Sequence, residues 1–375
     1  MNLSHGILLS AAMTIASTAH AGTFVYVSNA EEGNIGMYAM QPDGTLKPGE
    51  KADAGGKPVM PMSISPDKKF LYAAVRSKPF TAVTFAIDHK TGALKKVATA
   101  PLAESVPYIA VDKSGKFLLS ASYGAHLVSV NPIGKDGKVA APTQVIPTAR
   151  HAHSIITDNT GQWVFVPHLG TDQIFQFRLD KKTGKLVSNT PATVQLKLGT
   201  GPRHIIMSPD NKFAYLLSEL VGTVTTLSLD AKTGLLTEVS SAPILPADSK
   251  LVPGSPRLPP VAGVPPKDMS KDIWASDLHV TPDGKFLYAA ERTTSSIGAF
   301  SVDKATGKLT WLSNTPTEKQ PRGFRIDPKG KYMVVSGEKS ETISVYEIDG
   351  ATGALKMLQK YPTGKGSNWV EIVSF

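Results

Sequence analysis

Short runs of alternating apolar and polar residues recur along the chain, each bounded by Asp, Gly, Pro or Ser, and apolar spacing of the helical kind is nearly absent. One phrase sets the rhythm: a turn opening on Ser, Thr or Asp, a short polar step, then an aromatic residue that begins an apolar run. It reads Ser65-Pro66-Asp67-Lys68-Lys69-Phe70, and recurs from Asp112 to Phe117, Asp158 to Trp163, Ser208 to Phe213, Thr281 to Phe286 and Asp327 to Tyr332. The spacing is 46 or 47 residues, with 50 and 73 where loops lengthen. A second phrase, a glycine turn followed by an apolar residue, occurs seven times, at Gly44, Gly92, Gly137, Gly184, Gly234, Gly307 and Gly353. Both phrases are hairpin signals. A period near 46 residues that holds four short strands is that of a propeller blade.

The innermost strands are predicted at Pro61–Ser65, Tyr108–Asp112, His153–Thr157, His204–Ser208, Leu278–Thr281, Phe324–Asp327 and Trp369–Val373. The first repeat opens directly on Thr23-Phe24-Val25-Tyr26-Val27 and lacks an inner strand, whereas the C-terminal segment from Asn368 to Phe375 is an inner strand without a blade. The predicted fold class is therefore all-β: a seven-bladed β-propeller over residues 22–375, closed by pairing of its N- and C-terminal strands, which removes free sheet edges.

Strand direction alternates within a blade, so the starts of first strands and the ends of second strands share one face, opposite the repeated turns. On that face the starts bring Pro61, Tyr108, His153, Arg203 with His204, Asp277, Arg322 and Trp369. The ends bring Asn29, Arg76, Tyr123, His168, Glu219, Arg292 after Glu291, and Glu338. One mouth is thus rich in His, Arg and Glu while the other repeats bland turn chemistry. A Pro-rich insertion, 246–271, with seven prolines in 26 residues, falls in a connection on the same face, where it reads as a surface loop or a lid.

Composition narrows the partners. No cysteine is present, so no disulfide framework exists. The net charge of +9 favours anionic partners, but Lys and Arg are scattered singly and form no tract of the kind that grips nucleic acid. Residues 1–21 contain no Asp, Glu, Lys or Arg, run apolar from Gly6 to Ala19 and end in Ala19-His20-Ala21, which reads as a signal peptide with cleavage before Gly22. A periplasmic or secreted protein follows from that reading. No later apolar run reaches membrane-spanning length, so no membrane association is expected.

No Gly-x-Ser-x-Gly elbow, phosphate-binding loop, His-Glu-x-x-His or dinucleotide fingerprint occurs. General acid–base work by His and Glu beside oxyanion-holding arginines is what remains. Each residue has a plainer alternative. Arg76 and Arg322 suit blade-to-blade ion pairs; His168 suits a structural hydrogen bond; His151 and His153, two apart, suggest a metal but lack a third ligand nearby.

Gly201-Pro202-Arg203-His204, Ser218-Glu219-Leu220, the segment from Trp274 to Gly284, Glu291-Arg292-Thr293, Gln320 to Phe324 and Ile343 to Ile348 resemble the seven-bladed propeller lactonases. That family includes bacterial propeller-type 6-phosphogluconolactonases, with the fungal carboxy-muconate lactonizing enzyme as a relative. The resemblance covers essentially the whole of 22–375. It implies His153, Arg203, Glu219 and Arg292 as active-site residues, and His204, Asp277, Arg322 and Arg76 share their mouth as substrate-binding candidates. Neither cofactor nor metal is implied. The expected activity is hydrolysis of an aldono-1,5-lactone, 6-phosphorylated in the cytosol or unphosphorylated if the chain is exported, by a monomer. In that scheme Glu219 or His153 takes a proton from water while Arg203 and Arg292 hold the oxyanion. The alternatives are a muconate-type cycloisomerase and a non-enzymatic binding propeller.

Overall fold

The computed structural model describes residues 22–257, 263 and 265–375. The expected signal peptide, 1–21, lies outside the described residues, as do 258–262 and 264 of the insertion. Seven four-stranded antiparallel sheets account for every strand, and no helix occurs among the described residues. Six sheets follow chain order. The seventh is composed of Ser367–Ser374, Thr23–Asn29, Asn34–Met40 and Leu46–Asp53. Its first two strands pair from Thr23 with Ser374 to Asn29 with Ser367, so the ring closes as the sequence predicts.

The first strands are Val59–Ile64, Tyr108–Val111, Ile156–Thr157, Pro202–Met207, Ala275–Val280, Pro321–Ile326 and Ser367–Ser374, in blades 1 to 7. Most start a few residues earlier than predicted. In blade 3 the expectation fails locally: His153 to Ile155 are irregular, and only the isolated bridge Ala152–His168 continues the pairing. The left-handed backbone of His151 (φ 61°) turns the chain out of strand geometry just before it.

Second strands such as Phe213–Ser218 are buried throughout, because each blade has a neighbour on both sides. The core is accordingly divided into seven apolar clusters, each shared by two adjacent blades. The two sequence phrases are the halves of one lock. In the first, the opening Ser, Thr or Asp side chain accepts the backbone N–H of the aromatic five residues on, as Ser65 does from Phe70 (2.9 Å) and Asp112 from Phe117 (2.8 Å). That aromatic then covers the glycine of the next blade's second phrase: Phe70 lies over Gly137, Phe117 over Gly184, Trp163 over Gly234, and so on round to Tyr332 over Gly44, while Phe24 of the N-terminal strand covers Gly92. At Gly137 a Cβ would sit 2.1 Å from the Phe70 ring, and the φ of +77° independently favours glycine. Burying one such ring stabilises the fold by about 2 kcal/mol.

Candidate active site

The starts of first strands and the ends of second strands meet at the mouth of the central channel. Glu219, which follows Phe213–Ser218, is buried there between two guanidiniums. Its Oε2 accepts from Arg203 Nε (2.7 Å) and from Arg292 Nη2 (3.1 Å). Burial works to raise the Glu219 carboxyl, but Arg292 and Arg203 outweigh it and hold the group below the usual carboxylate range. Arg292 is drawn down to about 9, by burial first, and stays charged at neutral pH. Its Nε donates to the Trp274 carbonyl and its Nη2 also to that of Ala275, while its Cζ lies 3.7 Å from the centre of the Trp274 ring.

Arg203 also orders the layer below. Its Nη1 donates to the Ser276 carbonyl and to His204 Nε2 (2.9 Å), which places the His204 proton on Nδ1, from where it is donated to Asp277 Oδ1 (2.9 Å). Burial, with the charge of Arg203, lowers His204 to about 4, so at neutral pH this is a hydrogen bond between a neutral ring and a carboxylate, not an ion pair. Asp277 Oδ2 accepts from His279 Nε2 (3.2 Å), and Arg325, paired with Glu371, reaches His279 Nδ1 (3.4 Å). A continuous polar chain thus descends the channel from Glu219 to Glu371. Its donors and acceptors fix one another, and no ring nitrogen in it remains free for proton transfer.

His153 is different. Its ring lies beside those of His204 (centroids 5.3 Å apart) and Tyr123 (5.6 Å), yet its Nδ1 is buried without a partner. Burial, and then Arg203 and His204, push it well below its ordinary value, so it is neutral near pH 7. Among the described residues, Arg203 Nη2 and Arg292 Nη1 make no hydrogen bond either. The cluster therefore holds one neutral, unbonded imidazole and two free donor groups on guanidiniums locked by the same carboxylate.

The chain matches the family model for a lactonase with a seven-bladed β-propeller over residues 46–372. The chain belongs to this lactonase family. It is a carboxylic ester hydrolase of the lactone-opening class. It is 39% identical over 303 residues to a 6-phosphogluconolactonase of Serratia proteamaculans, covering 81% of this chain and 84% of that one. A 6-phosphogluconolactonase of Erwinia tasmaniensis is 37% identical over the same shares. Among solved structures, the periplasmic gluconolactonase of Pseudomonas aeruginosa superposes with a TM-score of 0.82 at 26% identity, covering 94% of this chain and 99% of that one.

At this mouth the structure brings Arg203, Glu219 and Arg292 into one bonded cluster, with His153 and His204 beside it. Two expectations are corrected. Arg322 does not bridge blades: it pairs with Glu338 (3.1 Å) of its own sheet. Among the described residues Arg76 has no carboxylate partner, and it donates to Ser105 Oγ (3.1 Å) and Met60 Sδ. His168 Nδ1 does bond a carbonyl, that of Val166 (2.9 Å). His151 instead bonds the Tyr123 carbonyl and stacks on its ring, and no metal-binding cluster occurs among the described residues. Sequence reasoning missed the roles of Trp274, His279, Arg325 and Glu371. Only Trp274 and His279 carried a signal, as members of the Trp274-to-Gly284 segment. On the opposite face, the groove between blades 5 and 6 is lined by exposed Asp283, Lys285, Lys329 and Lys331 and offers no buried chemistry.

Proposed function

We propose that the protein hydrolyses an aldono-1,5-lactone, with glucono-1,5-lactone and its 6-phosphate as candidate substrates. The observation that carries this reading is the neutral, unbonded His153 beside two guanidiniums that each keep a free donor. His153 accepts a proton from water as the oxygen attacks the lactone carbonyl. Arg203 Nη2 and Arg292 Nη1 take the developing oxyanion, which costs little reorganisation because Glu219 already holds both groups in place. Collapse breaks the bond to the ring oxygen, which receives the proton from His153, and the new carboxylic acid releases one proton to solvent. Glu219 serves better as the clamp than as the base, since both guanidiniums draw on its charge.

The substrates named for the Serratia and Erwinia relatives support a sugar lactone, and the Pseudomonas enzyme supports one without phosphate. Export, proposed from residues 1–21, favours the latter; N-terminal sequencing of the periplasmic or secreted protein should begin at Gly22, and an intact Met1 found only in cytosol argues against it. The test of function is a pH-stat assay on both lactones with the buffer rate subtracted. Proton release no faster than buffer on either sinks the proposal.

A further inference from the structure

Arg257 belongs to the Pro-rich insertion between blades 4 and 5, and the insertion is tied to the mouth. Gly254 N donates to the Leu220 carbonyl (2.8 Å), next to Glu219, and Val252 exchanges backbone hydrogen bonds with Lys271 (2.9 Å) and Ile273 (2.8 Å). Gly254 packs so closely that a Cβ would meet the Ile273 carbonyl at 2.4 Å. This anchoring lays Arg257 on Trp274, its Cζ 4.3 Å from the ring centre, and the same ring carries Arg292 at 3.7 Å. Two guanidiniums therefore share one indole. Arg292 has Glu219 as counter-charge, whereas among the described residues no carboxylate pairs with Arg257 and its buried Nε has no partner. Like charges gathered at one ring repel one another unless an anion joins them. The remaining mouth acids give Arg257 no partner, since Glu338 and Glu371 are ion-paired with Arg322 and Arg325.

We infer that Arg257, presented on Trp274 by the insertion, is a specificity residue that selects lactones bearing an anionic group, phosphate or carboxylate, away from the lactone carbonyl. The inference rests on the lactonase reading above and deepens it: the hydrolytic groups treat all aldonolactones alike, and the insertion sorts them by charge.

The test compares wild type, Arg257→Gln, Trp274→Leu and Lys250→Gln, a control elsewhere in the insertion. Each is assayed for kcat/KM on 6-phosphoglucono-1,5-lactone, on an aldaric-acid lactone carrying a free carboxylate, and on glucono-1,5-lactone. Losing a charge-assisted hydrogen bond should lower the preference for an anionic over the neutral lactone about tenfold in Arg257→Gln, chiefly through KM. Trp274→Leu should lower it in the same direction, and Lys250→Gln should leave it unchanged. The anionic lactone whose preference falls identifies phosphate or carboxylate as the group recognised. An unchanged preference in Arg257→Gln, or an equal loss on all three lactones, overturns the inference. If wild type hydrolyses none of them, the lactonase substrate proposal has failed on its own, and calorimetric titration with inorganic phosphate decides this one. Weaker binding by Arg257→Gln sustains anion recognition, and equal binding overturns it.

Discussion

Replacing Glu219 by Gln keeps the shape of the clamp and removes its charge. The side chains of Arg203 and Arg292 are 1% and 2% exposed, and Glu219 is the acid bonded to both. The variant leaves two buried guanidiniums without their counter-charge. Stranding one partner of a buried pair costs about 3–5 kcal/mol. The lower end applies here, because Glu338 also stabilises the charge on Arg292. Catalysis should suffer separately. The two guanidiniums repel once the carboxylate is gone, and misplacing a single oxyanion donor lowers kcat by about a hundredfold or more. Because the donors act on the transition state, kcat and kcat/KM should fall together. The assay is initial-rate pH-stat hydrolysis alongside urea unfolding. Glu219→Gln with kcat near wild type refutes the clamp. Loss of activity with an unchanged unfolding free energy refutes it too, and transfers the role of base to Glu219.

His153→Asn should lower kcat about a hundredfold or more while leaving the urea midpoint at pH 7 close to wild type, since no hydrogen bond to the ring is lost; retained activity removes His153 as the base. The histidines also set a pH dependence of stability. His168 and His204 lie at about 4 in the fold, both through burial first, and near 6.5 when unfolded. Their contribution is therefore complete above pH 6.5. It is lost by about 1.4 kcal/mol per histidine per pH unit as the pH falls toward 4, which chemical denaturation at pH 7 and pH 5 measures. Deleting 368–375 removes nearly all of the strand that closes blade 7 and should abolish cooperative unfolding; an unaltered melting curve counts against closure as a source of stability.

The blade architecture was legible because every repeat had to solve the same packing problem: an aromatic such as Phe117 needs a glycine such as Gly184 beneath it, and both leave a mark at a fixed interval. The mouth was legible for the opposite reason, since no packing demand forces Arg203, Glu219 or Arg292 to recur. What the sequence hid was the pairing. Arg292 reaches Glu219 across 73 positions, and nothing local distinguishes it from Arg322, which binds an acid of its own blade. The polar chain below the mouth was hidden likewise, because His204, Asp277, Arg325 and Glu371 come from four different sheets and gain their roles only around the channel. The two-residue first strand of blade 3 was masked by a sequence as regular as its neighbours, and the deviation comes from the left-handed turn at His151.

Closure also decides how the molecule can be attached to anything else. Phe375 N donates to the Gly22 carbonyl (3.0 Å), and Thr23 lies opposite Ser374, so the two ends of the described chain are adjacent at the turn face, across the ring from Glu219. A tag, surface tether or fused partner joined at Gly22 or Phe375 therefore hangs from the underside and leaves the entrance open. The same adjacency makes the ring a candidate for relocating its termini: a short linker from 375 to 22 preserves blade 7, and a new cut can be made in any exposed turn without touching the channel.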